Sequence, residues 1–177
     1  MSKLVDRIIN TYESGLVQRY HTHPRFARFG QTDAAHQWGV MMLVLMCHPN
    51  PSKNLLIEAA AHDTGERFSA DLPSPVKKLD PVLAESFDKL ELGVRINRTI
   101  APLELTEDEY AFLKCMDVLE CYLFAANTLP EALSTKNWRK LRDYVVSSAQ
   151  ELNTQPIISV DEVMEAAKTR QGFTEAY

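Results

Sequence analysis

The chain has 177 residues, of which 45% are apolar, and a formal net charge of −5. This length supports one well-filled core and is short for two, so we expect a single domain over residues 1–177, with the tail, residues 171–177, flexible. The acidic balance argues against a protein that coats nucleic acid, since such proteins need a basic face to displace counterions from phosphates.

Helical periodicity dominates the sequence, and strand-like alternation is almost absent. The predicted helices cover, in chain order, about residues 3–16, 33–48, 53–67, 81–97, 107–126 and 136–152, and a short last helix follows residue 159. Capping-box patterns at Thr106–Glu109 and Ser159–Glu162 mark two helix starts. A loop from Ser69 to Lys78 contains Pro73 and Pro75. The pattern predicts an all-α fold, a compact helical bundle with one elaborated loop after the third helix.

Membrane insertion and cysteine-based sites are both disfavoured. The longest apolar run, Val40–Cys47, is far shorter than the roughly 20 residues of a membrane-spanning helix, and no leader resembles a signal peptide. The three cysteines are odd in number and lack CxxC spacing, which argues against a disulfide framework. We therefore expect a cytoplasmic protein with buried thiols at Cys47, Cys115 and Cys121.

Three predicted helices each place a ligand-type side chain on an apolar stripe: His36, His62 and Asp117. A single inward histidine is usually a hydrogen-bonded core residue, but an ionised carboxylate at Asp117 would be costly to bury without a partner or a metal. Asp63 directly follows His62, and neighbouring helical residues diverge by about 100°, so both could bind one ion only at a helix end. Gly65 is consistent with such an end. The alternative is a set of separate buried hydrogen bonds and ion pairs.

Two imidazoles and two carboxylates would form a mixed nitrogen and oxygen sphere suited to Zn, Mn, Co, Fe or Ni. Positive charge concentrates in two segments that could meet an anion locally, although a solvated basic loop explains them equally well. These segments contain Arg19, His21, His23, Arg25 and Arg28, and then Lys77 and Lys78. Trp38 lies off the His36 stripe, so we expect it in the core or an interface rather than on a ligand.

The order H…HD…D over His36, His62-Asp63 and Asp117 resembles the HD superfamily of metallophosphohydrolases. The stretch HDTGERFSADLPSPVK, residues 62–77, is similar to the HDxxE and DLPxPVK segment of small YfbR-like 5'-nucleotidases and of phage dATP triphosphohydrolases of the DatZ type. Arg19-Tyr20-His21 resembles an arginine-aromatic-histidine motif of the same group. Two positions depart from it: Ala35 stands where many relatives carry Glu, and Tyr20 where many carry Trp.

The resemblance implies an HD-domain bundle in which His36, His62, Asp63 and Asp117 bind one divalent metal, Zn, Co or Mn, with Mg possible on the phosphates. It implies catalytic roles for two acids: Glu66 would orient the attacking water or accept its proton, and Asp71 would position water or protonate the leaving oxygen. Substrate contacts are implied for Arg19 and Lys77 at the phosphates and for Tyr20, Thr22 and Pro75 around the base and sugar.

Three functions follow as hypotheses. The first is hydrolysis of dATP to deoxyadenosine and triphosphate, which the basic segment 19–28 favours. If the enzyme is encoded by a phage, it would act in the host cytoplasm. The second is a 5'-deoxyribonucleoside monophosphatase with the same site. The third, of another class, is a non-enzymatic helical module whose basic segment docks nucleic acid or an acidic partner. For the enzymes we expect a small deoxynucleotide as substrate, no stable nucleic-acid complex, no membrane partner and a homo-oligomer, dimer or hexamer.

Overall fold

The computed structural model describes residues 2–169, and within them the chain forms eight α-helices and no β-strand. The predicted tail, residues 171–177, lies outside the described residues. The helices are α1 (Lys3–Ser14), α2 (Asp33–Cys47), α3 (Lys53–Ala61), α4 (Ser74–Leu79), α5 (Pro81–Arg98), α6 (Glu107–Thr128), α7 (Lys136–Glu151) and α8 (Val160–Thr169). Three short 3-10 turns, Ala27–Phe29, Thr64–Arg67 and Pro130–Ser134, join them. The all-α prediction is confirmed.

Local capping explains where several helices start. The Thr106 hydroxyl accepts from the Glu109 N–H, and the Glu109 carboxylate accepts from the Thr106 N–H, so the predicted capping box is present. Asp80, which no prediction singled out, accepts from the N–H groups of Val82 and Leu83 at the start of α5. These oxygens satisfy donors that have no partner inside the first helical turn.

The structure differs from the sequence-based prediction in two elements. The third helix ends at Ala61, and residues 64–67 form a separate 3-10 turn instead of its last turn. The predicted loop 69–78 contains α4, which begins at Ser74 with Pro75 in its first turn. Proline disfavours a helix interior, but in the first turn its missing N–H costs nothing.

The contacts divide the chain into two units. The first contains residues up to Trp38 and Ala60–Glu104, so the division falls inside α2 and inside α3; the single-domain expectation stays a prediction. In the first unit α5 packs closely on the 3-10 turn, since a Cβ placed on Gly65 would lie 2.6 Å from the Glu91 carbonyl oxygen. This close approach, rather than a helix end, accounts for the glycine.

The second unit contains Gly39–Ala59 and the chain from Leu105 onward. Its core is built by α6 together with α7 and α8, and the fully buried side chains include Phe112, Met116, Leu119, Tyr122, Val145 and Met164. Cys47 and Cys115 are buried as expected, and Cys121 is half-buried. Over residues 2–169, none of the helices combines the length and the apolar character needed to span a bilayer.

The sequence predicts Trp38 in the core or in an interface; the core alternative is wrong, and the interface alternative stays a prediction. Its side chain is 63% exposed, so it does not belong to the core of the first unit. The three-residue step from His36 to Gly39 follows the inward stripe of α2, and Trp38 lies to one side of it.

Candidate metal centre

His36 lies in the second turn of α2 and is fully buried, as its position on the apolar stripe predicts. His62 and Asp63 lie in the turn that follows the end of α3 at Ala61. The buried Thr64 hydroxyl donates to the Ala61 carbonyl and so helps to end the helix. Because the helix stops there, His62 and Asp63 are not held on diverging faces, and both side chains reach the same place.

The three side chains form a tight cluster. Asp63 Oδ2 lies 3.5 Å from Nε2 of His36 and 3.5 Å from Nε2 of His62. The two imidazole rings meet edge to face with centroids 5.4 Å apart. One nitrogen from each ring and one Asp63 oxygen all lie within 4.8 Å of one another, a spacing at which they could hold one metal ion. We call these three residues the candidate metal centre.

Arg19 reaches the centre from the segment before α2. Its guanidinium Nη1 donates to Asp63 Oδ2 at 2.8 Å. The segment is tied to the start of α2 by backbone hydrogen bonds, from Arg19 N to the Gln31 carbonyl at 2.9 Å and from Asp33 N to the Val17 carbonyl at 3.0 Å. The predicted phosphate contact of Arg19 stays a prediction, but its head group is held beside the oxygen that the two histidines share.

A hydrogen bond joins Tyr20 to Asp71, and the backbone is strained at Tyr20 and at Ala70, next to Asp71. The Tyr20 N–H donates to Asp71 Oδ2 at 3.2 Å. Tyr20 has φ of 55° and Ala70, next to Asp71, has φ of 60°; both lie in the left-handed region that non-glycine residues rarely adopt. Such strain persists only where surrounding contacts enforce it, and it concentrates at functional sites. The bond holds Asp71 next to the Arg19-Tyr20 segment.

Glu66 is a buried carboxylate in the 3-10 turn, only 7% exposed, and its Oε2 makes no hydrogen bond to the described residues. The pKa of Glu66 is raised to about 10, first by burial and then by the negative charges of Asp63, Asp33 and Asp71, while Arg19 opposes the shift. A carboxyl group in this state calls for a proton or a nearby cation.

Asp33, the first residue of α2, belongs to the same neighbourhood, and sequence reasoning missed it. Its side chain is fully buried, and neither carboxylate oxygen makes a hydrogen bond to the described residues. Its pKa is raised to about 8, first by burial and then by the charge of Asp63, while Arg19 opposes the shift. The three-residue spacing to His36, which puts both side chains on one helix face, was the signal that could have found it.

Gln37 is a second residue that sequence reasoning missed. It is 6% exposed. With its carboxamide oriented to satisfy both groups, it donates to the Ala60 carbonyl at 2.8 Å and accepts from the Asp63 N–H at 3.2 Å. It therefore ties α2 to the turn that carries His62 and Asp63. No spacing rule points to such a side chain-to-backbone bridge.

The roles of the remaining predicted site residues stay predictions. Asp117 lies on α6 in the second unit, 3.6 Å from Lys114 Nζ, and its place among the ligands stays a prediction. Lys77 lies on α4, and its Nζ forms an ion pair with Asp88 Oδ1 of α5 at 3.6 Å. Thr22 and Pro75 are exposed, and their contacts with base or sugar stay predictions.

The donor set fits a divalent metal of intermediate softness. Neutral imidazole nitrogens and a carboxylate oxygen suit Zn, Mn, Co, Fe or Ni about equally, so the residues do not select among them. The surplus of buried acids supports a cation here, because Asp33 and Glu66 lie in the field of Asp63, and both oxygens of Asp33 and Oε2 of Glu66 make no hydrogen bond to the described residues. A bound cation would offset that negative charge.

Comparisons with known proteins point to one class of enzyme. The chain is 31% identical over 88 residues to a protein named 5'-deoxynucleotidase from Photobacterium profundum, covering 42% of this chain and 45% of the relative. It is 31% identical over 67 residues to a second 5'-deoxynucleotidase, from Pasteurella multocida, covering 37% of this chain and 34% of the relative. The chain thus spans less than half the length of these curated relatives. No family model matches it, and no solved structure matches it significantly.

Proposed function

We propose that this chain is a metal-dependent phosphohydrolase that removes the 5'-phosphate from deoxyribonucleoside monophosphates. The observation that carries the proposal is the convergence of His36, His62 and Asp63 beside the buried acids Asp33 and Glu66. The partial similarity to two proteins named 5'-deoxynucleotidases supports the choice of substrate class.

His36, His62 and Asp63 would hold the metal, with Asp117 as the predicted fourth ligand. When bound, the metal would lower the pKa of a coordinated water and polarise a phosphoryl oxygen. Glu66, whose ionised form a bound cation would favour, would orient the attacking water and take its proton as the water oxygen bonds to phosphorus. Asp71, held by the Tyr20 N–H, would protonate the 5'-oxygen as the phosphorus–oxygen bond breaks. Arg19 would balance the negative charge of the phosphoryl group.

Hydrolysis of dATP to deoxyadenosine and triphosphate is the second candidate. The exposed Arg25 and Arg28, close to Arg19 in sequence, favour it because a triphosphate carries more charge than a monophosphate. Much of this basic segment serves its own structure, however. His23 Nδ1 accepts from the N–H groups of Arg25 and Phe26, and the Arg28 guanidinium lies 4.8 Å from the Phe29 ring centroid. We therefore rank the monophosphate first, the reverse of the order that the sequence patterns favour.

A substrate panel tests the proposal. The full chain would be loaded separately with Co, Mn, Zn or Mg and incubated with dAMP, dATP, dGTP and ATP, and the products identified by chromatography. Orthophosphate and deoxyadenosine from dAMP are expected, and triphosphate from dATP would move the assignment to the second candidate. The His62→Ala variant and EDTA should each abolish product.

Metal content provides the matched control. His48→Gln changes a histidine of the second unit that lies outside the cluster, and it should keep the metal content of the parent protein, whereas His62→Ala should lose it. Product formation by metal-stripped His62→Ala protein would rule out the proposed reaction. Salt-sensitive binding of an oligonucleotide that survives both treatments, without any hydrolysis, would favour the non-enzymatic module instead.

A further inference from the structure

A groove lies between α1 and α5 in the first unit. The groove has a volume of about 610 Å³, within the range of small-molecule sites. Its lining residues share no member with the candidate metal centre. We call it the α1–α5 groove, and it is lined by Lys3, Asp6, Arg7, Asn10, Lys89, Leu90, Gly93, Val94, Asn97 and Arg98.

The charge of the lining is opposite to that of the chain. Four cationic residues face one acid, Asp6, which is a formal charge of four minus one, or +3, in a chain whose net charge is −5. Within residues 2–169, no acidic side chain forms an ion pair with Lys3 or with Arg98. Lys89 pairs with Glu85 at 2.7 Å, but this is a solvent-exposed pair that contributes little and is readily exchanged.

Two of the lining side chains, one of the four cations and one amide, are held in place by hydrogen bonds to backbone carbonyls. The Arg7 guanidinium donates through Nη2 to the Thr99 carbonyl, which fixes the direction of the planar group. The Asn97 amide nitrogen donates one hydrogen to the Gly93 carbonyl at 2.8 Å, which leaves its second hydrogen as a donor for a phosphate oxygen. A planar guanidinium whose orientation is already set loses less freedom when it binds a phosphate oxygen.

From this arrangement we propose that the α1–α5 groove binds a small oligophosphate anion, either free or as the tail of a nucleotide, at a site distinct from the candidate metal centre. The +3 charge matches an anion with three or more negative charges better than a singly charged one. The cations come from both helices, Lys3 and Arg7 from α1 and Lys89 and Arg98 from α5, so one extended anion could contact both. The inference does not depend on the reaction proposed above.

Gly93 offers a way to fill the groove without disturbing the fold. A Cβ built on it meets no atom within 4 Å, so a larger side chain would extend into open space. Gly93→Gln is therefore a second variant that blocks the groove by volume, independently of charge. It also replaces glycine by a residue with higher helix propensity.

Binding would be measured by isothermal titration calorimetry on the full chain, with EDTA present so that no metal-dependent hydrolysis consumes a nucleotide. The probes are inorganic tripolyphosphate, dATP and a single-stranded oligonucleotide. Lys3→Ala combined with Arg98→Ala should weaken tripolyphosphate binding roughly tenfold or more, equivalent to about 1.4 kcal/mol. Gly93→Gln should weaken it as well. The matched control combines Lys136→Ala with Arg139→Ala, two exposed cations of α7, and should change it less than twofold.

The outcomes separate the sources of the anion. Equal affinity for tripolyphosphate and dATP would show that the phosphates suffice, and tighter dATP binding would add a contact to the nucleoside; both support the site. The inference is overturned if the groove variants bind like the control, or if Arg19→Ala alone removes binding, because the anion then sits at the candidate metal centre. Tighter binding of the oligonucleotide than of either small probe would also overturn it.

Discussion

Around the candidate metal centre, acidic side chains outnumber cationic ones, and most of them are shielded from water. In the α1–α5 groove, cationic side chains outnumber the one acid, and most of them are exposed to water. Water cannot screen the charge of Asp33 or Glu66, so the pKa of each is raised and each favours a proton or a bound cation. Water and salt screen each cation of the groove, so a single one would attract an anion only weakly, and the attraction depends on several acting together. Near the metal centre, burial therefore gives each single charge a large effect on its neighbours. In the groove, the attraction for an anion depends on the total charge of the four cations and the acid.

The largest expected effect is at Asp63, whose Oδ2 lies near both histidines and Arg19. Asp63→Asn should reduce phosphate release by on the order of a thousandfold, about 4 kcal/mol, because the metal loses its charged ligand. Metal content by mass spectrometry and product release would be measured together. Asp6→Asn, in the groove, should keep the full metal content. An Asp63→Asn protein with a full complement of metal would contradict the ligand assignment.

Two glycines provide a matched comparison of packing. Gly65→Ala should destabilise the fold by about 1–3 kcal/mol, because the added Cβ would meet the Glu91 backbone and force it to shift. Gly93→Ala should be neutral or stabilise by up to about 1 kcal/mol, because its Cβ enters open space in a helix. Urea unfolding of both variants measures the difference. Equal stabilities would mean that α5 does not press on the 3-10 turn.

The pH dependence of stability tests the state of Asp33. The pKa of Asp33 is raised from an ordinary value of 3.8 to about 8. At a pH between these two values, Asp33 is protonated in the folded state and ionised in the unfolded state. The contribution to stability is therefore full below about pH 4 and is lost as the pH rises toward 8, by no more than about 1.4 kcal/mol per pH unit. Asp33→Asn should remove this loss in metal-free protein.

The measurement is the free energy of unfolding with EDTA at pH 5 to 8. The stability difference between Asp33→Asn and the parent should grow in favour of the variant as the pH rises. Asp6→Asn, which changes a carboxylate outside the candidate metal centre, is measured over the same pH range as the control. Parallel pH profiles for Asp33→Asn and the parent would contradict this prediction. They would mean that Asp33 stays ionised in the fold and that a neighbouring group balances its negative charge.

The smallest expected effect concerns Gln37, which positions the metal-binding turn through the Asp63 N–H and the Ala60 carbonyl. Gln37→Leu keeps the volume and removes both hydrogen bonds, so metal affinity should fall roughly tenfold, as it does when outer-shell partners of ligands are lost. Gln37→Glu, which preserves the acceptor for the Asp63 N–H, should recover part of this loss. Competition with a chelator measures the affinity, and an unchanged value for Gln37→Leu would remove Gln37 from the site.

Local sequence was sufficient to predict most of the helices, since α1, α2, α5, α6 and α7 each carry a clear apolar period and end near a cap, a proline or a polar turn. It was also sufficient to predict that His36 points inward, because a buried face follows from spacing alone. The end of α3 and the presence of α4 were predicted wrongly. The turn after α3 and the helix α4 both pack against α5, and a local pattern does not contain those contacts.

By itself, then, the sequence determined the helical class and the inward position of His36, both of which depend on residues close together in the chain. Only the tertiary structure decided that Gln37 bonds to the Asp63 turn, that the Asp33 and His36 face of α2 lies near Asp63, and that four scattered cations line one groove between α1 and α5. The physical reason is distance along the chain: Lys3 and Arg98 meet at one surface only after α1 and α5 have packed, and no periodicity records that contact.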